Sequence, residues 1–197
     1  MAPSAPSRAT VLLVGTSLTA GYGLDPSQAW GTLLQARVDS AGLPFHVVNA
    51  GVSGETSAGA LRRTDWLFGQ GPIRVLVVET GANDGLRGQP IDSLRSNLDL
   101  ILTRAEALVP RPVLVVAGME APPNLGRRYA DDFRAVFPAA AKAHGAVYLP
   151  FLLDGVAGVE ALNQPDGIHP NPRGSRRVLD NVWKTLGPIL DSLSRQR

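Results

Sequence analysis

The sequence predicts an α/β fold, a parallel sheet covered by helices on both faces. Two observations carry this: apolar runs of strand length alternate with helix-period segments along the chain, and several of those runs are apolar throughout instead of alternating with polar residues, as strands buried on both faces are. The length of 197 residues, 44% hydrophobic and 18% charged, suits one sizeable core and is short for two domains.

Taken in order, residues 1–9 are small and rich in Pro and Ser, lack the basic and apolar regions of a signal peptide, and read as a flexible tail ahead of a single domain at 10–197. Strands are expected at 9–15, where Val11-Leu12-Leu13-Val14 forms the apolar run, at 45–51, 74–80, 112–118 and 146–151. Helical patterns fall at about 27–41, 56–69, 91–109, 128–144 and 172–193. Right-handed crossovers between parallel strands then give a three-layer αβα sandwich. Residues 152–165, with Gly155, Gly158, Asn163 and Pro165, read as a loop with room for a short helical turn. Trp30, Trp66 and Trp183 fall on helical patterns and are expected to pack.

Composition narrows the chemistry. Nineteen basic and seventeen acidic side chains leave a net charge of +2, too slight for a nucleic-acid partner, and Arg173, Arg176 and Arg177 read as a solvated helix face. The absence of cysteine removes disulfides, zinc-thiolate sites and thiol nucleophiles. No metal or cofactor is expected, since no ligand cluster of the His-Glu-x-x-His kind occurs. No apolar run approaches the ~18 residues a membrane span needs. A monomer is compatible with all of this.

Four segments carry a coherent chemistry. The first strand ends in Gly15-Thr16-Ser17-Leu18, which puts a hydroxyl on a Gly-flanked turn at the strand end, where α/β sheets keep their sites; a serine there is otherwise an ordinary helix N-cap. Asp166-Gly167-Ile168-His169-Pro170-Asn171 sets a carboxylate three residues before an imidazole, close enough on one turn to fix its tautomer and leave the other ring nitrogen as a base. His144 instead precedes Gly145 at a helix end, and His46 lies in the strand-like Phe45-His46-Val47-Val48. Gly54, in Gly51-Val52-Ser53-Gly54, and Asn83, in Gly81-Ala82-Asn83-Asp84-Gly85, follow two further strands and can offer uncharged donors to a developing oxyanion. Read separately, these are turns. The first glycine pattern lacks a Walker lysine and fails the dinucleotide spacing.

In this order the segments resemble the SGNH (GDSL-type) hydrolases, which contribute serine, glycine, asparagine and histidine from successive strand ends. Gly15 to Leu24, Gly54-Glu55-Thr56-Ser57, Gly81 to Gly88, Asn124 to Tyr129 and Asp166 to Asn171 look most like the bacterial thioesterase I, lysophospholipase L1 and arylesterase group. The resemblance implies a flavodoxin-like five-stranded sheet in the order 2-1-3-4-5. It also implies Ser17 as nucleophile, His169 as base and Asp166 as its orienter, with the Ser17 N–H, Gly54 N–H and Asn83 side chain as the oxyanion hole. The substrates it suggests are small acyl esters or thioesters, and its commonest compartment is the periplasm or exterior. A lysophospholipase or carbohydrate deacetylase on the same fold is the alternative, and the alternating pattern alone would also suit an FMN-binding module.

Glu120, Ala121, Pro122 and Pro123 follow the fourth strand and are expected to border the substrate cleft. One position departs from the family: Thr16 stands where the family has Asp before the serine. Its hydroxyl can serve as the hydrogen-bond acceptor of the turn but cannot supply the charge. No Gly-x-Ser-x-Gly elbow occurs, which argues against the α/β-hydrolase fold.

Overall fold

The computed structural model describes residues 8–196. Five parallel strands, β1 (Ala9–Gly15), β2 (Phe45–Gly51), β3 (Ile73–Val78), β4 (Val113–Gly118) and β5 (Val147–Phe151), form one sheet in the order β2-β1-β3-β4-β5. Residues 11–14 of β1 and 75–78 of β3 are almost fully buried, as expected of central strands covered on both faces. Helices α2 (Trp30–Ser40) and α7 (Pro172–Ser194) pack together, and α3 (Ser57–Phe68), α5 (Ile91–Glu106) and α6 (Arg127–Ala143) form a second contiguous group. The three-layer sandwich and the strand order are those expected. The tail read over residues 1–9 lies, for residues 1–7, outside the described residues; Arg8 pairs with Asp39 at 2.6 Å and Ala9 begins β1.

Two helices were not anticipated, α1 (Ser17–Ala20) and α4 (Ala82–Leu86), each too short to show a helical period. Both begin at strand ends, directly after β1 and just beyond β3. The expected third strand, 74–80, ends at Val78, although Glu79 still donates its N–H to the Val14 carbonyl at 2.8 Å. The 152–165 segment is a loop with one 3-10 turn, Glu160–Leu162. Trp30 is core, and Trp183 lies under the Arg37 guanidinium at 5.0 Å, but Trp66 is 67% exposed, against the packing role expected of it. It sits on the solvent side of α3, whose buried positions are Ser57, Gly59, Ala60, Thr64, Leu67 and Phe68. Arg173, Arg176 and Arg177 are exposed on α7. No helix among the described residues is long and apolar enough to cross a membrane.

One ion cluster ties the helices on the far side of the sheet together. His144, the C-cap of α6, places Nε2 2.9 Å from Asp99 and Nδ1 3.1 Å from Glu106, both on α5, and Arg111 holds Glu106 and the His144 carbonyl. Burial opposes charging of the ring, but the two carboxylates outweigh it and raise its pKa above the ordinary value. A raised folded-state value favours folding below the unfolded pKa and loses that contribution as pH climbs through the folded one. His144→Gln should therefore lower Tm at pH 6 and do so much less at pH 9, in thermal melts of both proteins across that range. An equal drop at the two pH values would show that the charged ring is not the source.

Candidate active site

The site is assembled at the C-terminal ends of the strands, beginning with β1. The register pairs Gly15 with Gly51 of β2 and Val14 with Val78 of β3, so three strand ends finish side by side. Val52 donates to the Gly15 carbonyl at 2.9 Å, continuing the ladder one residue past the strand. The chain then turns at Thr16 into α1, with Ser17 as its first residue.

The turn is pinned from both neighbouring strands. Asn49 of β2 donates to the Thr19 carbonyl at 2.7 Å. Glu79, just beyond β3, accepts the Thr16 N–H at 2.8 Å, the Thr16 hydroxyl at 2.9 Å and the Thr19 hydroxyl at 2.8 Å. The expectation for Thr16 is thereby changed: its hydroxyl does brace the turn, but against a buried carboxyl, to which it donates when that group is ionised. Neither Thr16 nor Ser17 caps α1: Thr16 makes no side-chain cap bond, and the Ser17 hydroxyl is directed elsewhere.

Close packing makes the two strand-end glycines obligatory. A Cβ at Gly15 would lie 2.1 Å from Thr19 Oγ1 and 2.8 Å from Glu79 Oε2, and one at Gly51 would lie 2.3 Å from the Ala20 nitrogen. The turn can approach the sheet this closely only because both side chains are missing.

Asp166 and His169 arrive from the opposite side on a tight loop. An isolated bridge between Asn163 and Pro170 closes it; the Gln164 N–H donates to the His169 carbonyl at 2.7 Å, and Gly167 donates to the Gln164 carbonyl at 2.9 Å. Asp166 Oδ1 accepts the N–H groups of Ile168 and His169, at 2.9 and 3.0 Å. Its Oδ2 lies 2.7 Å from His169 Nδ1. These bonds, the His169 N–H foremost and then its ring and the Ile168 N–H, lower the Asp166 pKa to about 2 and keep the carboxylate ionised. His169 Nε2 in turn lies 2.9 Å from Ser17 Oγ, bridging 152 residues of sequence. The Tyr22 ring packs on the imidazole with centroids 4.7 Å apart, and Gln164 Nε2 ties the loop to the Tyr22 carbonyl at 2.7 Å. Asn171, on the Pro/Asn turn that follows, is the N-cap of α7 and accepts from Arg173 and Gly174.

Gly54 and Asn83 border the same space. Gly54 has φ +77°, a left-handed conformation suited to glycine, and Arg87 donates to its carbonyl at 3.0 Å. Asn83, on α4, spends one amide hydrogen on the Glu55 carbonyl at 3.0 Å and keeps its second. Helix α4 is held by Asp84, which accepts the N–H and hydroxyl of Ser57 at 2.8 and 2.6 Å at the start of α3. Glu55 is clamped by Arg63 at 2.6 Å, and Arg63 also donates to the Gly15 carbonyl at 3.3 Å.

Ser17, Gly54, Asn83 and His169 all line one cleft of about 550 Å3. All four residues expected to border it, Glu120, Ala121, Pro122 and Pro123, do so. Leu18, Leu86, Met119, Phe151, Leu153 and Ile168 complete an apolar wall that sequence reading missed. Glu120 is half-exposed and lies 3.4 Å from Arg134. Sequence reading also missed Glu79 and Asp84. The available signal for Glu79 was a carboxylate closing the otherwise apolar run Val75-Leu76-Val77-Val78.

The GDSL-like Lipase/Acylhydrolase family matches residues 13–177. The chain belongs to the GDSL (SGNH) hydrolases. It is 43% identical over 181 residues to the esterase TesA of Pseudomonas aeruginosa, covering 92% of this chain and 89% of that one. It is 37% identical to the thioesterase 1/protease 1/lysophospholipase L1 of Escherichia coli K12, covering 92% and 85%. The psychrotrophic esterase EstA from Pseudoalteromonas sp., in a structure inhibited by monoethylphosphonate, superposes with a TM-score of 0.87 at 33% identity, over 92% of this chain and 98% of that one. Against this GDSL background, Thr16 stands at the position the motif gives to Asp.

Gly15→Ala tests the packing of the turn directly. Forcing a methyl group into a filled site costs about 1–3 kcal/mol, so the variant should melt at lower temperature and lose activity. A wild-type Tm would show that Thr19 and Glu79 can move aside freely.

Proposed function

We propose that the protein is a cofactor-free serine esterase hydrolysing carboxylic esters and thioesters, with aryl and short- to medium-chain acyl substrates, through an acyl-enzyme. The observation that carries this reading is the unbroken line Asp166 Oδ2, His169 Nδ1, His169 Nε2, Ser17 Oγ, with contacts of 2.7 and 2.9 Å, opening into an apolar-lined cleft. Kinship with proteins named esterase and thioesterase supports it.

In this mechanism Asp166 holds Nδ1 protonated, so Nε2 is free to take the proton of the Ser17 hydroxyl as its oxygen attacks the substrate carbonyl. The carbonyl oxygen becomes an oxyanion facing the Ser17 N–H, the Gly54 N–H and the uncommitted amide hydrogen of Asn83. The protonated imidazole then passes its proton to the departing alcohol or thiol as the carbon–oxygen or carbon–sulfur bond breaks. Water, deprotonated by the same nitrogen, attacks the acyl-serine and restores the hydroxyl. Apart from His169, Glu120 is the one Asp, Glu, Lys, Arg or His among the cleft-lining residues. That environment favours an uncharged acyl group.

A second reading, lysophospholipase, draws on the cleft rim, where Tyr22, Leu86 and Ile168 are 54%, 47% and 46% exposed and could meet an aggregated lipid. Rates on an aryl acetate, a medium-chain acyl thioester and a lysophospholipid in parallel would separate the two.

A fluorophosphonate probe should label the protein at Ser17 and not label Ser17→Ala, with the modified peptide mapped by mass spectrometry. The same variant should lose at least ~10³-fold in kcat while remaining folded. Labelling elsewhere, or turnover that survives the substitution, would refute the mechanism. Asn83→Ala should lower kcat about 10²–10³-fold with a smaller change in KM, because an oxyanion donor acts chiefly in the transition state. A loss confined to KM would make Asn83 a binding residue instead.

A further inference from the structure

Glu79 is a buried ionisable group bonded to the turn of Ser17 that the mechanism above leaves unused. It is 1% exposed, at the end of a strand whose preceding residues are apolar. Its partners are all neutral: the N–H of Thr16 and the hydroxyls of Thr16 and Thr19. No ion pair reaches it among the described residues. The charged groups nearest in the network, Arg63 and Glu55, pair with each other, and Arg63 reaches the turn only at the Gly15 carbonyl. A buried carboxyl without a cation weakens a fold that an apolar residue would strengthen. Burial accordingly pushes its pKa up to about 7, with the Thr16 and Thr19 hydrogen bonds opposing that rise.

Its position suggests why it is kept. Oε2 lies 2.8 Å from the Thr16 nitrogen and 2.8 Å from Thr19 Oγ1, so a single oxygen grips the residue before Ser17 and the second residue after it. We propose that Glu79 is the positioning residue of the serine turn, its Oε2 fixing the backbone on both sides of Ser17 and thereby the distance from Ser17 Oγ to His169. This rests on the reading of Ser17 as nucleophile.

The working element is the acceptor oxygen. Thr16 Oγ1 sits 2.9 Å from Oε1 and 3.1 Å from Oε2, and a hydroxyl can donate to an ionised carboxylate or accept from a protonated one. The grip on the turn therefore survives a change of protonation at Glu79, which its neutral neighbours would otherwise not tolerate. Gly15 leaves the space in which this network closes.

The test compares wild type with Glu79→Gln, Glu79→Leu and Thr19→Val. It measures kcat and KM on an aryl acetate and the rate of fluorophosphonate labelling, well below each variant's Tm. Gln keeps an acceptor oxygen at that place and should hold kcat within about fivefold. Leu removes it, and since misplacement of a reacting group by about 1 Å can cost ~10²-fold, kcat and labelling rate should both fall about 10²-fold while KM stays within about threefold. Should the Leu variant fail to fold, Thr19→Val carries the test, with kcat expected to fall about five- to tenfold because the Thr19 hydroxyl's hold on Oε2 is gone. Folded Glu79→Leu with wild-type kcat overturns the proposal, as does a Gln variant as impaired as the Leu variant, or unchanged kcat in Thr19→Val. Ser17→Ala is the control. If it stays active, the catalytic reading has failed; if it is inactive and Glu79→Leu is not impaired, only the role of Glu79 has.

Discussion

The register of β1 against its two neighbours is the constraint on which the site depends. Because β2 and β3 run parallel to β1 and end with it, Gly15, Gly51 and Glu79 come together at one edge of the sheet. A parallel arrangement sends every chain exit to that same edge, which is why loops distant in sequence can cooperate there. A shift of one residue in either pairing would turn side chains to the opposite faces. Glu79 would leave the Thr16 N–H, and the Gly51 that admits α1 would be replaced by a residue with a Cβ.

Around this edge the molecule departs from the economy of its core. The buried strand residues are chiefly Val and Leu, with Ile73, Phe45 and Ala117, whereas the layer capping the sheet buries Thr16, Thr19, Glu79, Asn83, Asp84 and Ser57. Apart from Asn83, which donates to the Glu55 carbonyl, these groups are joined in two networks, one from Glu79 to the serine turn and the other from Asp84 to the start of α3 with Asn97 also reaching Ser57 at 2.9 Å. Fully bonded polar networks fix a single geometry where apolar packing would allow several. Rigidity is thus concentrated behind Ser17 and Asn83, while the wall facing the cleft stays apolar.

What the sequence shows and hides follows from the range of each interaction. Strands β1 and β2 are legible to the residue because a compact apolar stretch of strand length, buried in β1 and partly exposed in the edge strand β2, announces itself locally. Asp166 and His169 were legible as a pair because three residues of one loop bring them together. Asn83-Asp84-Gly85 reads locally as a turn, and the bond that anchors helix α4, from Ser57 to Asp84, spans 27 residues and leaves no local signal. Glu79 was invisible as a partner of the serine turn for the same reason, since 63 residues separate it from Thr16. Thr16 was noticed as a departure, but the direction of its hydrogen bond required knowing what lay opposite. Trp66 misled because helical periodicity gives a period without saying which phase meets the sheet.

The loop carrying Asp166 and His169 has a further implication for how the protein fails. Acid and base are built into one small closed circuit, fastened by the Asn163–Pro170 bridge and by the Gln164 link to Tyr22. The serine belongs instead to the sheet. Detaching the circuit breaks a few hydrogen bonds at the surface, whereas moving the serine means disturbing three strands, and local openings of the first kind require far less free energy than global unfolding. The two parts are therefore unequally attached: His169 and Asp166 share one loop and would come away together, while Ser17 is held by the sheet.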